Sequence, residues 1–280
     1  MTERVFVLGA GRAGTGLARA LRASGPGIEV VGLHGRRPAD GVTTGALPSA
    51  LASATIILVT VRDAQLDEAL RELAASVLAP GAVVLHASGS ADPPALEPLR
   101  ALGHPCGTFH PLLPLADPAR AAEMLRGGYI GIDGDRRARE CAQRLAVRLS
   151  ARWLDIPPGE KARYHAAAVL VSNFPAVLVL LGERVLAATG VPPETAHEAL
   201  LPLFLAAAEN LRRRRGPEAL TGPIVRGDVD TIRRHLTALA SDPEALAAYR
   251  ALSASAITLA RAAGTEAEAL RRIGEEVRDT

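Results

Sequence analysis

Lysine is almost missing from this chain. Of 32 Lys and Arg residues only Lys161 is a lysine, so every other basic side chain is a guanidinium. The two cations differ in shape, hydration and readiness to lose a proton, and a lone lysine beside an apolar run marks a place for chemistry that arginine cannot do. Aromatics are scarce at 3%, which leaves Ala and Leu to fill the core. Cysteine is scarce too: Cys106 and Cys141 make no disulfide framework, so a reducing, cytoplasmic setting is expected. Charge of one sign is not in excess. A net +2 at pH 7 implies no general affinity for nucleic acid or an anionic membrane surface. No charged-then-apolar leader precedes the first predicted strand, and no signal peptide is expected. The seven His stand at no metal-ligand spacing with Cys, Asp or one another, so no metal is assigned. One long apolar run is present, Gly159 to Gly182. Ser172, Asn173 and Pro175 interrupt it, which predicts one long buried helix kinked at Pro175 rather than a membrane span.

The N-terminal half alternates strands and helices. RVFVL over Arg4–Leu8 is a short β-rich run, and GAGRAG with Gly9, Gly11 and Gly14 follows before a helical pattern over Thr15–Ala23. Strand, glycine turn, helix is the context that makes GxGxxG a dinucleotide-binding motif. Gly9 permits the turn, Gly11 lets a pyrophosphate approach the backbone, Gly14 lets the helix pack on the strand, and Arg12 and Ala13 lie in the loop. The second strand, Ile28–Leu33, ends in His34-Gly35-Arg36-Arg37. The acidic residue that holds the ribose hydroxyls of NAD is missing there. Arg36 and Arg37 suit a 2′-phosphate, so NADP(H) is the expected cofactor. Further strands are predicted at Thr55–Val61, Ala82–His86, His104–His110, Tyr129–Ile132 and Ala151–Ile156, with helices at Gln65–Val77 and Arg136–Leu149. This alternation specifies a doubly wound, Rossmann-like α/β domain over 1–156. Ligands sit at the carboxyl ends of such strands, which nominates Thr60, Val61 and Ser88 for the cofactor and Ser88 also for substrate. His110, at a strand end before Pro111, can act as acid, base or hydrogen-bond donor.

Pro157-Pro158-Gly159 marks the predicted boundary of an all-α domain over 157–280. Helical patterns cover roughly 160–188, 193–214, 229–240, 243–263 and 265–277. Lys161 and His165 lie one turn apart on one helix face, about 6 Å along the axis. Ala168 and Ser172 continue that face. Arg212–Arg215 reads as solvated charge at a helix C-terminus. Arg226, framed by Gly222, Pro223 and Gly227, can grip an anionic group, and Asp228 is placed to cap the next helix.

GAGRAG, TIILVTVRD and the Lys161-x-x-x-His165 helix start resemble the 6-phosphogluconate dehydrogenase-like superfamily, which includes β-hydroxyacid dehydrogenases, pyrroline-5-carboxylate reductases and prephenate dehydrogenases. GTFHPLLPL, KARYHAAAVLVSNF and LTGPIVRGDVDT look like the predicted oxidoreductases that join a Rossmann-like domain to an uncharacterised helical one. The resemblance implies that Lys161 stands where a catalytic Lys polarises the reacting oxygen, with His165 in place of the Asn one turn on. His110-Pro111 resembles the catalytic His-Pro of prephenate dehydrogenases. A homodimer through the helical domain is implied as well. The combined expectation is an NADP(H)-dependent oxidoreductase acting on a small carbonyl, imine or hydroxy-acid substrate between its domains. Lys161, His110 and His165 are the catalytic candidates, and Ser88, Asn173 and Arg226 the substrate groups. A non-catalytic NADP(H)-binding sensor or scaffold is the alternative, and a deazaflavin-dependent enzyme a third.

Overall fold

The computed structural model describes residues 2–92 and 94–278. Among these, seven strands form one sheet: β1 (Glu3–Leu8), β2 (Ile28–His34), β3 (Ile56–Val59), β4 (Val83–His86), β5 (Cys106–Pro111), β6 (Tyr129–Gly134) and β7 (Arg152–Asp155). Their order is β2-β1-β3-β4-β5-β6-β7. Neighbours run parallel except β5 and β6, which are antiparallel. Helices α1 (Arg12–Ala23), α2 (Leu66–Ala74), α3 (Leu96–Ala101), α4 (Ala121–Leu125) and α5 (Arg136–Arg148) connect them.

Side chains alternate along a strand, so each strand feeds two layers. Val5, Val7, Ile56 and Leu58 pack with Leu17 and Leu21 of α1 and Leu145 of α5. Phe6, Leu8, Ile57 and Val59 pack with Leu70 and Leu73 of α2 and Leu99 of α3. Burial on both faces explains the unbroken apolar runs Val5–Leu8 in β1, Ile56–Val59 in β3 and Val83–Leu85 in β4. Each such Leu or Ile stabilises the unit by roughly 1.5–3 kcal/mol relative to exposure.

The chain divides into two compact units, Met1–Ser172 and Asn173–Thr280. The helix α6 (Lys161–Ser172) therefore counts with the sheet, although the sequence places the boundary at Pro157. The single helix expected over Gly159–Gly182 is in fact two, α6 and α7 (Phe174–Ala187), with Asn173 at the break and Pro175 in the first turn of α7. Proline is accepted there because that N–H has no helical partner anyway. The expected burial is also corrected. Among the described residues of α6 and α7 only Lys161 is buried, and Leu170, Val171, Val177 and Leu180 are exposed. By length and composition alone, Lys161–Ala187 is apolar enough to cross a membrane. The break at Asn173 and the buried charge at Lys161 both oppose that reading.

In the second unit α8 (Pro193–Arg213), α9 (Val229–Leu239), α10 (Pro243–Ala262) and α11 (Ala267–Val277) follow α7. Val229, Ile232, Ile257, Leu270 and Ile273 form its core. Asp228 caps α9 by accepting from the Thr231 amide at 3.0 Å, worth about 1 kcal/mol. Arg184 of α7 pairs with Asp242 at 2.9 Å and Glu244 at 2.8 Å, joining α7 to the start of α10. Arg212 and Arg213 pair with Glu209 on the exposed end of α8.

Candidate active site

The glycine turn is built as the motif requires. Gly9 has φ +118°, and a Cβ on Gly14 would lie 1.8 Å from the Gly9 carbonyl oxygen. Only glycine fits either position. The Thr60 hydroxyl donates to the Gly9 carbonyl at 2.7 Å, and the Gly9 amide donates to the His34 carbonyl at 2.8 Å. Thr60 thus holds the turn against β3 with its side chain. Gly11 is open, with no atom within 4 Å of a built Cβ, and α1 starts without a side-chain cap. Its first amides are free for phosphate oxygens, so the turn fits a dinucleotide's pyrophosphate. Gly35 presses on Ala10, 2.6 Å from a built Cβ, which brings the exposed Arg36 and Arg37 beside the turn. Neither forms an ion pair among the described residues. Arg12 and Ala13 open α1, Arg12 exposed and Ala13 half-buried, and Val61 is half-buried just past β3.

Further along the same strand ends, cross-strand register collects the remaining groups. His86, Thr108 and Asp133 lie in one row across β4, β5 and β6, and His110 and Gly131 face each other in the next. Rows on one face are about 6.7 Å apart. Residues three to four apart on a helix are separated by about 4.5–6 Å. One turn of α6 therefore spans both rows. Lys161 lies over the first: its Nζ is 2.8 Å from Asp92 Oδ1, 3.1 Å from Asp133 Oδ2, 2.8 Å from the Ala91 carbonyl and 3.5 Å from His86 Nε2. Tyr164 lies over the second: its hydroxyl is 2.7 Å from His110 Nδ1 and occupies the space that a Cβ on Gly131 would need, 2.3 Å away. His165 meets His110 edge to face, ring centroids 5.9 Å apart. The loop after β4 closes the group, since a Cβ on Gly89 would touch both His110 and His165, at 2.8 and 2.9 Å.

Burial dominates the electrostatics here. It pushes the His110 imidazole down to about 4, helped by His165 and Lys161 and opposed by Asp63. It pushes His86 down to about 3, helped by Lys161, His110 and Arg100. Both rings are neutral near pH 7. His110 and His165 thus stand together, with Lys161 one turn away and only 3% exposed, its amine shared among two carboxylates and a carbonyl. The Ser88 hydroxyl accepts from the Ala91 amide at 3.1 Å and from the Ser90 amide at 3.4 Å, so it shapes the loop. Asn173 and Arg226 are exposed residues of the second unit.

Asp92, Asp133, Gly131 and Tyr164 are not among the candidates that the sequence offers. A usable signal existed for Tyr164: it is one of three Tyr in the chain and directly precedes His165 on an alanine-rich helix.

Residues 128–256 match the family described as Domain of unknown function (DUF2520), a stretch that includes β6, α5 and β7 as well as helices of the second unit. No curated protein matches the chain. Among solved structures, a provisionally assigned NADP oxidoreductase from Bacteroides fragilis, BF3122, is 24% identical with a TM-score of 0.72, over 91% of this chain and 98% of that one. Protein TM1727 from Thermotoga maritima is 23% identical with a TM-score of 0.71, over 93% and 99%. An imine reductase from Myxococcus stipitatus, solved with NADP+, is 18% identical with a TM-score of 0.60, over 96% and 99%. These likenesses establish the fold, a Rossmann-like sheet unit followed by a helical one.

Proposed function

We propose that the protein is an NADP(H)-dependent oxidoreductase acting on a small carbonyl, imine or hydroxy-acid compound. The observation that carries this reading is a shared edge: the glycine turn after β1 and His110 on β5 both stand at the carboxyl ends of parallel strands, where such folds bind and react their ligands. Solved proteins of the same fold include an imine reductase in complex with NADP+ and a pyrroline carboxylate reductase with NADP bound, which supports the cofactor class.

Gly9, Gly11 and the first amides of α1 hold the pyrophosphate, and Arg36 and Arg37 take the 2′-phosphate. A bound nicotinamide supplies or accepts the hydride. His110 meets the substrate's reacting group, His165 flanks it, and Lys161 fixes the helix that carries His165. Lys161 is a positioning residue on this reading, because an amine already shared by Asp92, Asp133 and the Ala91 carbonyl has little left to donate. Buried free thiols at Cys106 and Cys141 accord with a reducing compartment.

Titration of both cofactors tests the assignment. NADPH is expected to bind at least tenfold tighter than NADH, and the difference to shrink in Arg36→Ala/Arg37→Ala, since losing a charge-assisted bond to phosphate costs about 1.5–3 kcal/mol. Equal affinity would overturn the NADP assignment. NADPH oxidation over a panel of keto acids, aldehydes and cyclic imines then tests the enzyme; tight binding with no turnover would leave a nucleotide-binding sensor. A homodimer through the helical unit is our reading of the large apolar side chains left exposed on α7 and α8, Leu180, Leu203, Leu205 and Leu211 among them. Light scattering should give twice the 29.1 kDa chain mass; a monomer would remove the dimer from the proposal.

A further inference from the structure

We propose that Tyr164 is a positioning residue for His110: its hydroxyl donates to Nδ1, leaves the ring's proton on Nε2, and so fits the site to a substrate that offers a lone pair, a ketone or aldehyde oxygen, over a protonated imine. The substrate half of this inference rests on the oxidoreductase reading; the hydrogen-bond half does not.

The seat for the hydroxyl is built into the sheet. His110 and Gly131 are register partners on β5 and β6, and the missing side chain at Gly131 leaves the space that the Tyr164 oxygen fills. His110 Nδ1, at 2.7 Å, is that hydroxyl's hydrogen-bond partner. Burial raises the Tyr164 phenol above its ordinary range, so it keeps its proton and must place it on an acceptor. Among the described residues Nδ1 is the acceptor within hydrogen-bond reach. A neutral imidazole carries one N–H, and with Nδ1 accepting, that proton is on Nε2. The Nε2–Cε1 edge faces Gly89, where any side chain would fill the space now left beside it. An N–H there bonds a carbonyl oxygen and strengthens as charge gathers on that oxygen. A protonated imine has no lone pair to accept it. Lys161 does not compete as donor, since Asp92 and Asp133 already match its charge.

The test is the ring-nitrogen spectrum of the full chain labelled with ¹⁵N-histidine, with His110→Asn to assign its signals. The expected wild-type result at pH 7 is an unprotonated, hydrogen-bonded Nδ1 and a protonated Nε2. In Tyr164→Phe, which keeps the ring, the Nδ1 signal should move to that of a free acceptor. A proton found on Nδ1, or no movement in the variant, overturns the assignment whether or not the protein has activity. In turnover, Tyr164→Phe should lower kcat for a carbonyl substrate about tenfold, the loss of one hydrogen bond, with NADPH affinity unchanged. Turnover of cyclic imines with none of carbonyls would overturn the substrate half alone. Turnover of neither class would instead count against the oxidoreductase reading, and the spectrum would still decide the Tyr164 bond.

Discussion

Replacing Lys161 with methionine should destabilise the first unit by about 3 kcal/mol and abolish turnover, with cofactor affinity nearly intact. The lysine is 3% exposed, and Asp133 beside it is 18% exposed in its side chain against 64% for Asp92. Asp92 can return to water when the amine goes. Asp133 cannot, and the Ala91 carbonyl loses its donor at the same time. Removing one partner of a buried pair typically costs about 3–5 kcal/mol, and the exposure of Asp92 puts this case at the lower end. Lys161→Arg keeps the charge but must fit a planar fork into a space shaped for a compact ammonium, at a cost of roughly 1–3 kcal/mol from overpacking. In both variants α6 moves, and Tyr164 and His165 sit one turn along it, so turnover falls through displaced side chains. The turn at Gly9–Gly14 is made by other elements, so NADPH affinity is retained. The double variant Lys161→Met/Asp133→Leu should recover much of the stability, because an apolar pair replaces a broken one. Urea unfolding and NADPH titration check all three. A methionine variant as stable and as active as wild type would remove Lys161 from the architecture of the site.

The distance between what the sequence shows and what it hides is clear at this lysine. Its rarity and its place at a helix start are local facts, and both are legible. Its partners are not, because Asp92 and Asp133 reach it only through the register of β4, β5 and β6. The strands themselves are legible for a similar reason: TIILV and AVVL are buried on both faces, so composition alone marks them. Their directions are less so. Tyr129–Gly134 alternates in the same way read forwards or backwards, so nothing in it announces the antiparallel pairing with β5 that sets Gly131 opposite His110. The glycine turn lies at the other extreme, because Gly9 and Gly14 answer steric demands within the turn that can be read from spacing. The apolar run after Lys161 misleads in the opposite sense. Apolarity all round a helix predicts burial, yet Leu170, Val171 and Leu180 are exposed in the single chain, since composition does not say which other element, if any, packs against a helix.

Mild acid should unfold the first unit, and His86 should account for about half of the added slope from the two buried histidines. Burial, with Lys161 second, lowers the His86 ring to about 3, and burial with His165 lowers His110 to about 4. In the unfolded chain both titrate near 6.5. Because the folded values are the lower ones, the native state disfavours the charged ring. Full stability is present above about pH 6.5 and is lost as pH falls from there toward the folded values. Within that window the unfolded chain binds about one more proton per histidine, so stability falls by about 1.4 kcal/mol per pH unit for each. Two histidines over two pH units amount to roughly 5 kcal/mol, comparable with the whole stability of an ordinary domain. Other titrating groups add to the total, so the informative quantity is the difference between wild type and His86→Leu. That substitution removes a ring whose Nδ1 is buried with no hydrogen-bond partner, so it costs little at neutral pH beyond the contacts that Nε2 shares with the Thr108 hydroxyl at 3.2 Å and the Lys161 amine at 3.5 Å. Denaturant midpoints taken between pH 7 and 4.5 should show the variant's slope reduced by about one proton. Identical slopes in the two proteins would mean that His86 charges in the native state, in contact with the Lys161 amine, and the burial argument for that ring would fail.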